Sequence, residues 1–219
     1  DLRLGDVQAE FALRLGQGKK AEADADLAEA RKIDPKLASS SYDQGRDYLG
    51  RRQYAQAAGE FTTAVLLDPK LHRAWHERGV CRAGLGRLGE AVADFTEAIR
   101  LRPKLADAYL DRGVAHANRK EFPQALSDFT RAVELSQATG LSTPHVQALT
   151  LRAQVNLETK KLDDALRDYN EVIRLAPSQV AFQGRAEVHR LKGNAVTTAD
   201  DDARAASFAT ADWSRILPL

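Results

Sequence analysis

A step of 34 residues constrains this chain more than any other feature of its sequence. Prolines stand at Pro35, Pro69 and Pro103, alanines at Ala23, Ala57, Ala91 and Ala125, and glycines at Gly45, Gly79 and Gly113, each set 34 apart. The next members, Ala153, Ala165 and Pro177, keep the pattern if six residues enter once, between the fourth and fifth repeats. A period of this size describes a stack of similar supersecondary units, each burying its apolar face against its neighbours, and not a single enlarging core.

The repeat beginning at His72 shows what each unit builds. Two amphipathic stripes run over about 72–84 and 88–101, with glycines Gly84 and Gly86 around the turn. Trp75, Gly79 and Arg82 share one helical face, as do Ala91, Phe95, Ala98 and Ile99. Gly79 and Ala91 are small where two helices must come close, and Trp75 and Phe95 are large where space must be filled. Pro103 cannot continue the second helix. The combination Trp75, Gly79, Ala91, Phe95 and Pro103 resembles the tetratricopeptide repeat, a helix–turn–helix of the same length. The second repeat matches through Gly45, Tyr48, Ala57, Phe61 and Pro69, and the fourth through Tyr109, Gly113, Ala125 and Phe129, with Gln137 in the proline position. The fifth matches through Leu149, Ala153, Ala165, Tyr169 and Pro177. The first is weaker: Val7, Ala23, Leu27 and Pro35 fit, and Phe11 stands where a small residue is expected. The sixth begins well with Phe182 and Ala186, and its second helix, expected near 199–211, carries one extra turn residue in this reading.

The resemblance implies an all-α fold: an α-solenoid, wound as a right-handed superhelix, of about six units at 4–37, 38–71, 72–105, 106–139, 146–178 and 179–212. Residues 1–219 are expected to form one solenoid, with the insertion 140–145 as a short ordered loop. The first helix of each pair would line a concave groove.

One departure from the family pattern recurs. Where leucine usually precedes the glycine, this chain has Arg78, Arg112, Arg152 and Arg185, and an aspartate precedes the aromatic of the second helix: Asp94, Asp128, Asp168 and, in the sixth repeat, Asp202. Repeats one and two have Glu10 and Gln44 instead, opposite Asp26 and Glu60. Arginine and aspartate come and go together, so each set reads as an ion pair between the two helices of a unit, because an unpaired buried charge is costly.

Composition excludes several functions. The 32 basic and 31 acidic residues balance to +1, which argues against a general nucleic-acid or anionic-membrane surface. No apolar run approaches a membrane span. The single cysteine, Cys81, excludes an internal disulfide and has no base beside it. The chain has no methionine and no signal-peptide pattern at its start, so a piece of a longer protein is expected. Richness in alanine and arginine suits a GC-rich bacterial gene, with a cytoplasmic location expected and the periplasm as the alternative.

Chemistry-bearing clusters are sparse. His72 and His76 lie one helical turn apart, but no third ligand and no HExxH is present, so no metal is expected. His116 and His189 take the family's tyrosine position and read as packing residues. Asp200, Asp201 and Asp202 lack the alternation of a calcium loop and read as a cap or a solvated face. Neither a catalytic constellation nor a cofactor motif emerges, so the chain is expected not to be an enzyme and to need no cofactor.

That leaves the groove. By the family's geometry its lining includes Tyr42, Arg46, Arg73, His76, Val80, Asp107, Leu110, Val114, Asn118, Gln147, Thr150 and Gln154, with an apolar floor of Val80, Ala83, Leu110, Val114 and Ala117. An apolar floor with a charged rim suits a peptide or helix of another protein. The lysine and asparagine clamp that some family members use for chaperone tails is absent, the matching pairs being Gln8 with Ala12, Tyr42 with Arg46 and His76 with Val80. The expected function is a non-catalytic scaffold for protein–protein interaction that binds a protein or peptide segment. Two alternatives stand beside it: the repeat region of a larger enzyme, such as a kinase or transferase, and a self-associating scaffold.

Overall fold

The structure, a computed structural model, describes residues 36–139 and 142–209, together with seven positions between Arg14 and Ala28. The first expected repeat, 4–37, lies almost entirely outside the described residues. Among those described there are ten helices and no strand. They are α1 (Leu37–Gly50), α2 (Tyr54–Leu67), α3 (His72–Gly84), α4 (Leu88–Leu101), α5 (Ala106–Asn118), α6 (Phe122–Thr139), α7 (Ser142–Glu158), α8 (Leu162–Leu175), α9 (Gln179–Leu191) and α10 (Ala195–Ala209). The protein is an all-α solenoid of helical repeats, in which odd and even helices are the first and second members of each pair.

The chain divides into two compact units, Asp1–Pro103 and Lys104–Leu219. In the first, α1 packs on α2 and α3 on α4. Phe61 and Phe95 are fully buried, and a Cβ placed on Gly45 or Gly79 would come within 2.8 Å of the Phe61 ring or 2.7 Å of the Phe95 ring. Only glycine lets helix and ring approach so closely. Burial of each phenylalanine stabilises by about 1.5–3 kcal/mol. The Trp75 indole N–H donates to the Pro69 carbonyl at 3.0 Å, tying the start of α3 to the preceding turn.

The second unit repeats the scheme through α5 on α6, α7 on α8 and α9 on α10. One core runs from Leu110 through Phe129, Val133, Leu149 and Val155 to Val172 and Ala181, and a smaller one joins Ala153, Ala165, Tyr169 and Val188. Within each unit consecutive first helices touch, α1 with α3 in the first and α5 with α7 and α7 with α9 in the second.

The turn inside each pair is the same three-residue device. Its middle residue has positive φ: Arg52 at 58°, Gly86 at 76°, Lys120 at 61°, Lys160 at 58° and Gly193 at 76°. The left-handed residue ends the first helix, as in C-terminal capping motifs. The sixth repeat has this same turn at Lys192–Asn194, so the extra turn residue expected there is absent and α10 starts at Ala195.

The six-residue insertion also differs from expectation. Residues 140 and 141 lie outside the described residues; from Ser142 onward the segment is the first turn of α7, which reaches 17 residues, while α6 extends to 18. Pro144 is tolerated because it sits in the first turn, where its missing N–H has no intrahelical partner to lose. His145 Nδ1 lies 3.2 Å from Ser136 Oγ and ties the lengthened ends together.

Candidate functional site

The arginine–aspartate pairs fix the frame on which any site is built. Arg78, Arg112 and Arg152 each donate from Nε and Nη2 to the two oxygens of Asp94, Asp128 and Asp168, with distances of 2.7–3.0 Å. In the sixth repeat the partner of Arg185 is Asp201, at 2.6 and 2.8 Å, and not Asp202. The offset from arginine to aspartate is 16 in all four pairs, and that constancy is the signal that identifies Asp201. Asp201 is therefore 2% exposed inside the acidic run, while Asp200 and Asp202 face outward to Arg204 and Arg190. The guanidinium also reaches the preceding repeat: Arg78 bonds Thr62, Arg152 bonds Thr130, and Arg185 bonds Asn170 at 2.7 Å. Aromatic faces cover Arg78 (Trp75), Arg112 (Tyr109) and Arg185 (Phe182). The hydrogen bonds to Asp128 and Asp168 hold Arg112 and Arg152 above the ordinary arginine value.

Repeats one and two depart as their sequences do. Asp26 is met by Arg14, 12 residues before it, at 2.6 Å. Glu60 has no arginine at Gln44, and burial pushes its carboxyl up.

The expected groove residues sort by unit. On the first, Arg46 and Arg73 are exposed, and Tyr42, His76 and Val80 are half-buried. Tyr42 tilts onto Phe61 and His76 onto Phe95. Burial, then the Glu77 carboxylate, raises the Tyr42 hydroxyl, and the guanidiniums of Arg46 and Arg73 oppose that rise. His72 accepts from Arg102 Nη1 at 3.2 Å, since a guanidinium can only donate. Burial and then Arg102 lower the His72 value. Cys81 is buried and its thiol is pushed up to about 12, first by burial and then by Glu77, which makes it a packing residue.

On the second unit, Val114, Asn118 and Gln154 lie around one cleft. They line a cleft of about 190 Å³ between α5 and α7, with Ala117, Phe129, Leu151, Val155 and Glu158. Leu151 and Val155 escaped the sequence reading because they lie one position beyond the family's groove positions. Gln147 is exposed nearer the start of α7, and the Thr150 hydroxyl donates to the Val146 carbonyl of its own helix. Asp107 is exposed in the first turn of α5, where its charge suits the helix dipole.

Leu110 is a correction. It is 5% exposed, packs in the core with Ala148 and Leu149, and is not among the residues that line the cleft. The cause is the insertion: α7 begins early, and its first turns, with Val146, pack into the cluster that holds Leu110.

Among the described residues no helix is long and apolar enough to cross a membrane, and no three His, Cys, Asp or Glu side chains gather as metal ligands. The geometry is that of a helical-repeat scaffold whose polar chemistry is spent on joining helices. Residues 42–106, 83–139 and 110–180 match the tetratricopeptide repeat, and the chain belongs to that family. Solved structures with the same fold include the MamA protein, with 18% identity, 84% of this chain and 98% of that chain covered, and a TM-score of 0.73. YrrB, described as a TPR protein with an unusual peptide-binding site, has 18% identity, coverages of 87% and 98%, and a TM-score of 0.70. The TPR2B domain of yeast Sti1, solved as a complex with pHsp70, has 21% identity, coverages of 56% and 98%, and a TM-score of 0.54. Comparison of the sequence with curated proteins finds no match.

Proposed function

We propose that this protein is a non-catalytic interaction scaffold that holds a peptide or helix of another protein on its first-helix face. The observation that carries the reading is the cleft between α5 and α7. Its floor is apolar, from Val114, Ala117, Leu151 and Val155, and its rim is polar, from Asn118, Gln154 and Glu158. That combination suits one apolar anchor side chain, with the rim amides bonding the partner's backbone and Glu158 meeting a basic group. The solved TPR structures of YrrB and Sti1, whose descriptions name a peptide-binding site and a complex with pHsp70, are consistent with this use of the fold. Because the helices are locked by the buried pairs, little ordering of the receptor is needed on binding. On the first unit, Tyr42, Arg46, Arg73, His76 and Val80 form a more basic face that serves the same role for an acidic stretch.

The test is selection from a displayed peptide library on the intact chain, followed by amide shift mapping with a synthesised winner. The reading predicts the largest shifts at Val114, Ala117, Asn118 and Gln154. Shifts confined to the outer surfaces of α6 and α8 would contradict it.

A further inference from the structure

The residue four places after the pairing arginine is Arg82, His116, Asn156 and His189 in successive repeats. In the third repeat Arg82 completes the buried carboxylate. Its Nη1 donates to Asp94 Oδ2 at 2.7 Å, and its Nε lies 3.4 Å from Glu90. Asp94 thus accepts two hydrogen bonds from Arg78 and one from Arg82. In the fourth repeat His116 Nε2 comes only within 3.9 Å of Asp128 Oδ2, its Nδ1 being held by Glu121 at 2.6 Å. In the fifth repeat the side chain at this place is the much shorter Asn156. Asp168 Oδ2 receives Arg152 Nε alone, and Asp164 stands where Glu90 stands in the third repeat.

The difference in length opens a cleft of about 280 Å³ between α6, α7 and α8, lined by Arg152, Asn156, Lys161, Asp164, Arg167 and Asp168. Asn156 is 5% exposed, yet its side-chain amide has no hydrogen-bond partner among the described residues. An amide that lines an open cleft is available to a ligand. The deep wall offers the Asp168 carboxylate, 4% exposed, and the side-chain amide oxygen of Asn156. Arg152 lies at the deep wall, already paired with Asp168, and the other two cations sit at the rim: Lys161 is exposed, and the Arg167 side chain is 75% exposed beside Asp164, where water and salt screen them.

We propose that this cleft binds a guanidinium group, held by Asp168 Oδ2, the side-chain amide oxygen of Asn156 and Asp164, as Arg82 is held within the third repeat. The guanidinium is supplied either by an arginine side chain of a partner segment or by a small free guanidine. The site is separate from the first-helix cleft, and it stands or falls independently of peptide binding there.

The experiment is an amide and side-chain NH2 titration of the full chain with four probes at millimolar concentration: a capped alanine–arginine–alanine peptide, free arginine, the citrulline analogue of the peptide, and inorganic phosphate. The arginine probes should shift the Asn156 side-chain NH2 and the amides of Asp164 and Asp168, and citrulline should not. Binding of the peptide points to a partner's side chain, and binding of free arginine alone points to a small guanidine. Asp164→Asn, on a half-buried residue, should weaken the arginine probes by up to about fivefold. Asn156→Arg should raise Tm and abolish the shifts, because the variant supplies the guanidinium itself. No shift at Asn156 with either arginine probe, equal shifts with citrulline, a response to phosphate alone, or a lowered Tm in Asn156→Arg would each overturn the proposal.

Discussion

Each arginine–aspartate pair joins two helices through two parallel hydrogen bonds, and its worth shows in what remains when one partner is removed. Arg112→Ala leaves Asp128, 5% exposed, without its guanidinium. Loss of one member of a buried pair costs about 3–5 kcal/mol. Denaturant unfolding should place the variant at the lower end of that range, because the Arg112 side chain keeps 19% exposure. Arg112→Ala made on an Asp128→Ala background should cost clearly less, and additive effects would mean that the two residues do not act together. Glu60 is the converse case. Burial raises its carboxyl above the ordinary 4.5, so the fold favours its protonated form. The stability this gives is present below the ordinary value and is lost as pH rises through the raised one. Glu60→Gln should therefore raise Tm at neutral pH, with a difference from the parent that shrinks in acid. A difference independent of pH would contradict the assignment.

The helix pair is the element that repeats, and its closest approach is glycine against an aromatic ring. A methyl group on Gly79 would meet Phe95 Cε1 at 2.7 Å, and Phe95 is fully buried with no room to withdraw. Gly79→Ala gains about 1 kcal/mol of helix propensity. It should nonetheless be destabilised by about 1–3 kcal/mol in a thermal or denaturant melt, because overpacking outweighs propensity. Much of this level was legible in the sequence. The third repeat's helices, expected over 72–84 and 88–101, are His72–Gly84 and Leu88–Leu101. The pairing of Arg78, Arg112 and Arg152 was legible because charge and countercharge vary together along the chain. Three points were not. The insertion carries Gly140 and Pro144, which read as loop signals, yet tertiary packing of α7 keeps the segment from Ser142 helical. Leu110 has the spacing of a groove residue and is buried because a neighbouring helix was lengthened. The Asn156 cleft is a matter of side-chain length in a polar position, which a search for conserved-looking apolar positions passes over.

At the scale of the whole molecule, stability in such a stack is a sum of repeat terms and nearest-neighbour terms, so cooperativity depends on every junction. We propose, from the 34-residue period, that residues 1–219 form one solenoid; the insertion falls inside the second compact unit and not at its boundary. We expect limited proteolysis to leave 140–145 uncut until the chain unfolds; release of two folded pieces by cleavage there would contradict a single cooperative stack. The central claim concerns the first-helix face. The measurement that tests it most directly is the affinity of a library-selected peptide for the parent chain, for Val114→Glu and for Leu110→Glu, each paired with a thermal melt. Val114 is half-buried in the cleft and Leu110 is core. Val114→Glu should keep a cooperative melt and lose at least about tenfold in affinity, as expected for a contact near the centre of an interface, while Leu110→Glu should lose its fold. A Val114→Glu protein that melts normally and binds the peptide as tightly as the parent would contradict the account.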